Sequence, residues 1–263
     1  MKRDYKALLV DVDGTLVCPE RKTVNERTAA ALTALQARGI LVAVATGRTP
    51  RAVRPEILGG FRPDYYICMN GTYVTDRNAR TIYHHPMSQR QLDDICRLAV
   101  REDCPVGFAF SDGYYCYYKD EVYRPFYEKT NGDMTTLIDG TDRTRHLAGL
   151  PYAAFGIIAP EHLAAFTDPG LGLHITPFSK NVYDICQAGY TKAGGAEAVL
   201  AQTCLRWANL AVVGDGTNDM ELLRAAGLGI AMGNAAPEVK AAADVVTDSV
   251  REDGVLRAIE RYF

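Results

Sequence analysis

Two aspartates separated by one residue follow a short apolar run near the start of the chain. Asp11 and Asp13 belong to the sequence Asp-Val-Asp-Gly-Thr. Carboxylates this close repel each other, so both stay ionised only beside a cation or when their side chains diverge. A calcium-binding loop is excluded, because Leu16 and Lys22 stand where that loop needs Gly and Glu. The spacing therefore indicates either a Mg²⁺ site built from oxygen ligands or a polar turn.

A second acidic pair lies in the sequence Gly-Asp-Gly-Thr-Asn-Asp, far along the chain. Asp215 ends a predicted strand and Asp219 falls in the first turn of the next predicted helix, so both carboxylates can face one point. Asn218 adds an amide donor, and the N-terminus of the helix favours an anion nearby. A capped helix with an acid in its first turn is the simpler interpretation. Capping and cation binding are compatible, so the pair strengthens the prediction of a cation.

Other polar residues follow two more predicted strands and begin a helix. Thr46, Gly47 and Arg48 form a turn after the second strand, and Asn70 follows the third. Lys192 lies at the start of a predicted helix, where a positive charge opposes the helix dipole unless an anion lies beside it. A solvated surface lysine is the alternative. Beside carboxylates and a cation, the threonine hydroxyl and the lysine are groups that would bind a phosphate.

The elements that carry these residues alternate between strands and helices. Strands are predicted at 7–10, 40–45 and 65–69, and helices at 25–38 and 50–58. Strands separated by helices indicate βαβ units, and hence an α/β fold with a Rossmann-like, doubly wound parallel sheet. Ligands of such sheets bind outside the carboxyl ends of the strands, where the polar residues fall.

The same alternation returns after residue 187, so we predict a discontinuous core formed by 1–84 and 188–263. The late predicted elements are a helix around 196–204, a strand at 210–213, a helix at 218–226, strands at 228–232 and 245–246, and a helix at 253–261.

The segment 85–187 has a different pattern and is predicted to be an inserted α+β cap domain. Six tyrosines between 114 and 127 either stack on a substrate or pack the cap sheet, and packing is favoured. Arg143 and Arg145 either bind a second anionic group or are solvated. The predicted cap elements are a helix around 92–100 and two antiparallel strand pairs, 106–110 with 114–118 and 173–176 with 182–186.

Composition excludes several classes of protein. With 48% hydrophobic and 23% charged residues, the chain matches a globular protein with a substantial core. Its 29 basic and 32 acidic residues leave no positive excess for nucleic acid or an anionic membrane, so a small-molecule partner is expected. Seven cysteines without metal-ligand spacing, and only the four apolar residues 7–10 after the opening Met-Lys-Arg-Asp-Tyr-Lys where a signal peptide needs 7–15, indicate a reduced, cytoplasmic protein. The oligomeric state is left open.

Taken in order, four motifs resemble those of haloacid dehalogenase-like hydrolases: Asp11–Thr15, Ala45–Arg48, Lys192 and Gly214–Asp219. The insert between the second and third motifs, with Asn70-Gly71 just before it, is similar to the Cof-type subgroup with its large α+β cap. The resemblance covers nearly the whole chain. Two departures leave the local geometry open: Ala193 separates Lys192 from Gly194, and Thr72 stands where relatives usually have Ala.

The resemblance implies a Mg²⁺-dependent phosphatase that works through an aspartyl-phosphate. Asp11 would be the nucleophile, and Asp13 would act as general acid and then general base, with its backbone carbonyl helping to hold the metal. The resemblance assigns phosphate binding to Thr46, Gly47, Lys192 and Asn218, metal binding to Asp11, Asp13, Asp215 and Asp219, and substrate contacts to Arg48 and Asn70.

Three functions are compatible with the sequence. The first is a phosphatase for small sugar phosphates or nucleotides, with specificity residing in the cap. The second is a hexose phosphomutase with the same type of core and cap. The third is a regulator that binds a phosphorylated metabolite without turnover, although the predicted nucleophile, metal ligands and lysine are all present.

Overall fold

The computed structural model describes residues 5–131 and 133–263 and divides into two compact units. The first unit comprises residues up to Arg48, Val53–His84 and Thr191–Phe263, and the second comprises Thr49–Ala52 and His85–Tyr190. The first four residues of the amino-terminal segment considered above lie outside the described residues. Within the described ranges, every helix falls short of the length and apolar character that crossing a membrane requires.

Fourteen strands and eight α-helices are present in the described residues. The strands are β1 (Ala7–Val10), β2 (Leu41–Ala45), β3 (Tyr65–Cys68), β4 (Tyr73–Asp76), β5 (Thr81–His84), β6 (Val106–Phe110), β7 (Gly113–Tyr118), β8 (Leu137–Asp139), β9 (Ala153–Ile157), β10 (Leu173–Ser179), β11 (Val182–Gln187), β12 (Leu210–Gly214), β13 (Leu228–Ala231) and β14 (Val245–Val246). The helices are α1 (Glu26–Ala37), α2 (Gln89–Arg101), α3 (Asp120–Asn131), α4 (Leu163–Phe166), α5 (Lys192–Ala201), α6 (Met220–Ala225), α7 (Pro237–Ala241) and α8 (Gly254–Tyr262).

The first unit is built on an eight-stranded sheet in the order β14-β13-β12-β1-β2-β3-β4-β5. The strands from β14 to β3 are parallel, whereas β4 and β5 add an antiparallel edge. The central strand β1 pairs with β12 on one side and β2 on the other, so segments about 200 residues apart in sequence are neighbours in the middle of the sheet. This arrangement confirms the predicted parallel α/β sheet.

The central strand of this sheet is buried on both faces. Successive strand residues point to opposite faces, and all four residues of β1 are buried. Ala7 and Leu9 belong to a cluster with Ala196 and Val199 of α5, while α1 and α8 pack against each other elsewhere in the unit. A strand buried on both faces must be apolar throughout, which explains why β1 could be located from its residues alone.

The second unit contains a six-stranded sheet in the order β10-β11-β9-β6-β7-β8. Both predicted hairpins are present, as β6 with β7 and β10 with β11. The strand β9 was not predicted, and it joins the hairpins by pairing antiparallel with β6 and β11. Helix α2 packs one buried face on this sheet, through Leu92, Ile95, Leu98 and Ala99.

The helix predicted over 50–58 is wrong. Only a short 3₁₀ turn, Pro50–Ala52, forms there, because Pro55 lacks the N–H of a helix interior and disfavours helical geometry in the residue before it. Residues 49–52 instead belong to the second unit. The backbone N–H of Thr49 donates to the Tyr114 hydroxyl at 3.2 Å, and Arg51 Nε donates to the Thr135 carbonyl at 3.0 Å.

Candidate active site

Asp11 lies at the carboxyl end of the central strand β1. Its backbone N–H donates to the carbonyl of Val213 at 2.9 Å, which extends the pairing of β1 with β12 by one residue. The residue is only 7% exposed. A carboxylate this deeply buried needs charged or hydrogen-bonding partners, because burial strongly disfavours its ionised form.

Lys192 supplies the first of those partners. It is the first residue of α5 and is 1% exposed, and its ammonium donates to Asp11 Oδ1 at 2.6 Å and to Asp219 Oδ1 at 2.7 Å. Burial alone would lower the pKa of Lys192, but the charges of these two carboxylates outweigh it and raise the pKa above its ordinary value. The interpretation as a solvated surface lysine is therefore wrong.

Asp219 organises the loop after β12 as well as pairing with the lysine. Its Oδ2 accepts hydrogen bonds from the backbone N–H groups of Asp215 and Gly216, at 3.1 and 3.0 Å. Both oxygens of this carboxylate thus have donors within the protein. Asp219 therefore positions both the Lys192 ammonium and the loop that carries Asp215.

Asp215 lies between two donors that sequence reasoning missed. Thr15 donates to its Oδ1 at 2.6 Å, and Asn234 donates to its Oδ2 at 3.1 Å. Asn234 also donates to the Gly14 carbonyl at 2.9 Å. The available signal for Asn234 was its position just after the carboxyl end of β13, the rule that identified the other site residues.

Gly14 is required where the loops after β1 and β12 approach each other. Its φ is +81°, and a Cβ built on it would lie 2.3 Å from Oδ2 of Asp215. A larger residue would therefore force Asp215 away while straining the backbone.

The three acidic residues Asp11, Asp215 and Asp219 each place a carboxylate oxygen within 4.8 Å of the others. Burial and the neighbouring carboxylates, against the opposing charge of Lys192, raise the pKa of Asp11 well above its usual value. Burial first, with the charges of Asp219 and Asp13, raises the pKa of Asp215 to about 6. The single ammonium of Lys192 therefore cannot balance three ionised carboxylates. Oxygen ligands with this deficit fit a divalent cation such as Mg²⁺.

The Asp13 side chain points elsewhere. Arg48 holds it with two parallel hydrogen bonds, Nε to Oδ2 at 2.8 Å and Nη2 to Oδ1 at 2.6 Å. The side chain of Asp13 is 44% exposed and that of Arg48 is 22% exposed. The structure therefore does not bring the Asp13 carboxylate into the cluster around Lys192. A metal contact through its backbone carbonyl stays a prediction.

Thr46 lies buried at the end of β2, followed by Gly47. Its hydroxyl oxygen accepts a hydrogen bond from the backbone N–H of Arg48 at 3.1 Å. The hydroxyl hydrogen can be donated to an anion. At the next strand end, the side-chain oxygen of Asn70 accepts from Asn218 Nδ2 at 2.9 Å. Phosphate and substrate binding by these residues stay predictions.

The tyrosines of the second unit pack rather than line an open surface. Four of the six are under 9% exposed: Tyr115, Tyr117, Tyr123 and Tyr127. Tyr123 and Tyr127 lie one turn apart on α3, and the Tyr123 ring centroid is 4.5 Å from that of Phe155. The packing interpretation is confirmed for these four residues.

The two loop arginines are also engaged within the second unit. Arg145 pairs with Asp112 through Nη2 at 3.0 Å, and its guanidinium lies 4.5 Å from the Phe110 ring centroid. Arg143 donates to the Tyr117 carbonyl at 3.0 Å and lies 4.1 Å from the centroid of Tyr118. Neither stands in solvent without contacts.

The model of the haloacid dehalogenase-like hydrolase family matches residues 8–259. YkrA of Bacillus subtilis (strain 168) is 28% identical over 260 residues, which are 98% of this chain and 97% of YkrA. From the same organism, YcsE, named as a 5-amino-6-(5-phospho-D-ribitylamino)uracil phosphatase, is 25% identical over 259 residues, covering 98% and 96% of the two chains. Among solved structures, the subclass IIB sugar phosphatase BT4131 superposes with a TM-score of 0.82 at 26% identity over 98% of each chain.

Proposed function

This chain belongs to the haloacid dehalogenase-like hydrolase family as a phosphoric monoester hydrolase, and we propose that it is a Mg²⁺-dependent phosphatase of small phosphorylated metabolites. The proposed reaction passes through an aspartyl-phosphate on Asp11. The observation that carries the proposal is the buried Lys192 ammonium, which contacts Asp11 and Asp219 with Asp215 beside them. Phosphoryl transfer depends mainly on positioning and charge neutralisation, and this cluster supplies both.

In the first step the Asp11 carboxylate attacks phosphorus, and the ester P–O bond of the substrate breaks as the new P–O bond forms. Asp13 donates its proton to the departing alkoxide. Lys192, Thr46 and Asn218 donate to the phosphoryl oxygens. Mg²⁺, held by Asp11, Asp215 and the backbone carbonyl of Asp13, would neutralise charge on the transferring group.

In the second step Asp13 removes a proton from water, and the water oxygen attacks phosphorus. The bond between Asp11 and phosphorus breaks, which releases inorganic phosphate and restores the carboxylate. Both oxygens of Asp13 are bonded to Arg48 in the structure. We therefore propose that Arg48 moves to the substrate when it binds and thereby frees Asp13 for proton transfer.

The substrate class rests on the relatives. YcsE is named for a phosphorylated ribitylaminouracil and BT4131 for sugar phosphates, so the shared chemistry is a phosphomonoester on a small polar metabolite. We propose that the cap predicted at 85–187 selects among such substrates. A reducing, cytoplasmic setting is part of the proposal, supported by seven cysteines that are all free thiols.

Phosphate release from a panel of sugar phosphates, nucleotides and an aryl phosphate tests the function, with Mg²⁺ or with a chelator. We expect Mg²⁺-dependent release by the wild type and none by Asp11→Asn. Asp13→Asn should still form the aspartyl-phosphate slowly, because general acid catalysis contributes only about 10²–10⁴ of the rate.

Asp248→Asn is the matched control, because that aspartate belongs to the same unit and its side chain is 60% exposed. Equal activity in the wild type and both site variants would contradict the assignments. Phosphoryl movement within a hexose phosphate, without release and with a bisphosphate activator, would identify a mutase instead.

A further inference from the structure

The chain reverses between β3 and β4 through three consecutive residues in the left-handed region. Met69, Asn70 and Gly71 have φ values of 48°, 52° and 96°. Residues with a Cβ rarely adopt this conformation, and two in succession are rarer, because the side chain crowds the backbone carbonyl. Such backbone persists where its surroundings impose it, and it is concentrated at functional sites.

One side of this turn is bonded to the motif that carries Thr46. The Asn70 N–H donates to the Thr46 carbonyl at 3.0 Å, and the Met69 N–H donates to the Arg48 carbonyl at 3.0 Å. The Thr72 hydroxyl, which is fully buried, donates back to the Met69 carbonyl at 2.8 Å. The turn and the segment 46–48 thus form one hydrogen-bonded assembly.

The other side of the turn is pressed against the start of α5. A Cβ on Gly71 would lie 2.0 Å from the Thr191 carbonyl oxygen, and a Cβ on Gly195 would lie 2.8 Å from the Gly71 Cα. Only glycine at both positions permits this approach. The turn therefore also supports the helix whose first residue is Lys192.

Asn70 projects from this turn to the loop after β12. Its Oδ1 accepts from Asn218 Nδ2 at 2.9 Å, and the residue is 9% exposed. This hydrogen bond uses one of the two hydrogens of the Asn218 amide. Because the amide is planar, it also fixes the direction in which the second hydrogen can be donated. A pre-oriented donor binds an anion better than a freely rotating one, because the orientation is set before binding.

We propose that Asn70 is a positioning residue that orients the Asn218 amide for the phosphoryl group, and that it does not contact substrate itself. The proposal rests on the proposed function for the identity of the anion. It replaces the expectation of a substrate contact at Asn70 with an indirect role. The left-handed turn then serves to place one acceptor beside Asn218 while holding Thr46 and α5.

A double-mutant cycle on orthovanadate affinity tests this role, with Mg²⁺ present and titration calorimetry as the readout. Asn70→Gly removes the acceptor and keeps a residue that tolerates positive φ, so the melting temperature should be retained. We expect Asn70→Gly and Asn218→Ala each to weaken orthovanadate binding about tenfold, as for loss of a hydrogen bond to a charged group. The double variant should bind no more weakly than Asn218→Ala alone.

Asn181→Gly is the matched control, since Asn181 also has a left-handed φ of 61° but lies in the second unit. It should leave orthovanadate affinity and melting temperature unchanged. Wild-type affinity in Asn70→Gly would overturn the proposal and leave the turn as purely structural. Multiplied losses in the double variant would also overturn it, because they would indicate an independent contact between Asn70 and the ligand.

A readout without ligand separates this proposal from the function it rests on. In the wild type, the side-chain amide hydrogens of Asn218 should be resolved by NMR and exchange slowly, and in Asn70→Gly they should exchange faster. If the wild type neither releases phosphate nor binds orthovanadate, the proposed function fails while this exchange difference still supports the orienting contact. Identical exchange in the two proteins would overturn the contact whatever the activity.

Discussion

The two units bury different kinds of side chain. In the first unit, ionisable groups are buried where strands end, with Asp11, Lys192 and Asp219 each under 9% exposed. In the second unit, the large buried side chains are aromatic, such as Phe108 and Phe110. Burying charge is costly without partners, whereas burying aromatic rings is favourable in itself. Buried charged groups therefore mark the candidate site, whereas the tyrosine-rich segment of the second unit marks a packed interior.

In the sequence, the tyrosines of the second unit resemble a binding surface, although most of them are buried. The hydroxyl of each buried tyrosine still needs a hydrogen-bond partner nearby. Tyr127 bonds with Thr136 at 2.6 Å, and the Tyr115 hydroxyl donates to Asp112 at 2.9 Å. This dense run of tyrosines therefore reflects an interior in which the hydroxyl groups form hydrogen bonds with nearby residues.

The largest effect is expected from Lys192→Met. Removing one partner of a buried charge pair leaves Asp11 and Asp219 uncompensated, which should cost about 3–5 kcal/mol in the free energy of unfolding of the metal-free protein. Phosphate release should fall by at least about a hundredfold, as for loss of a donor to the developing charge. Denaturant unfolding and the release assay measure these effects.

Lys129→Met is its control, because that lysine is exposed on α3. If Lys192→Met were as stable and as active as Lys129→Met, the buried charges of the first unit would contribute neither to stability nor to activity, and the proposed role of Lys192 would be contradicted.

Phe108→Ala should be the largest change in the second unit. Phe108 is fully buried, with its ring centroid 5.0 Å from that of Tyr117 in an edge contact. The cavity should cost about 3–5 kcal/mol in the free energy of unfolding. Mg²⁺ affinity, measured by calorimetry on the folded protein, should not change.

The matched variant is Phe178→Ala, in the same unit, where the phenylalanine is 57% exposed. Loss of Mg²⁺ affinity in Phe108→Ala, with affinity retained in Phe178→Ala, would show that the second unit contributes to the cation site.

The pH dependence of stability should follow Asp215 in the metal-free protein. Its pKa in the folded state is raised to about 6 from a usual 3.8, so the folded protein holds this proton more tightly than the unfolded chain. The resulting stabilisation is complete below the unfolded pKa and is lost as the pH rises through the folded pKa. Between about pH 7 and about pH 5, the melting temperature should therefore rise more on acidification in wild type than in Asp215→Asn.

Added Mg²⁺ should reverse this difference, because a cation favours the ionised carboxylate and stabilises the wild type most near neutral pH. Parallel melting curves for the wild type and Asp215→Asn, with and without Mg²⁺, would rule out both the raised pKa and a role in metal binding.

Arg143→Gln should have the smallest effect. The guanidinium lies over the Tyr118 ring at an exposed position, and loss of this cation–π contact should cost about 0.5–1 kcal/mol. The KM for substrates with a second phosphate should match the wild-type value, because Arg143 is engaged within its own unit. A rise in KM for bisphosphorylated substrates alone would revive its assignment to a second anionic group.

Predictions from the sequence were most accurate where a charged residue directly follows an apolar run or begins a helix that disfavours its charge. Four apolar residues followed by Asp11 located β1 to the residue, because a strand buried on both faces tolerates nothing polar until it ends. Lys192 at the N-terminus of a helix signalled a nearby anion, and Asp11 and Asp219 are the anions found there.

The failures arose where distant parts of the chain determine the local structure. The helix predicted over 50–58 ignored Pro55 and the hydrogen bond from Thr49 to Tyr114, 65 residues away. Asn234 was missed, although it follows the carboxyl end of β13, because its acceptors, Asp215 and the Gly14 carbonyl, lie in the loops after two other strands. No local pattern encodes such pairings.

The pairing of β1 with β12 also determines the order in which the protein can be assembled during synthesis. Ala7 is opposite Leu210 in the sheet, so one edge of the central strand stays unpaired until the ribosome has made most of the chain. At 5–20 residues per second this interval is on the order of ten seconds or more. An unpaired, fully apolar edge is prone to associate with other chains, so we expect the nascent first unit to be the part of this protein that most needs a chaperone.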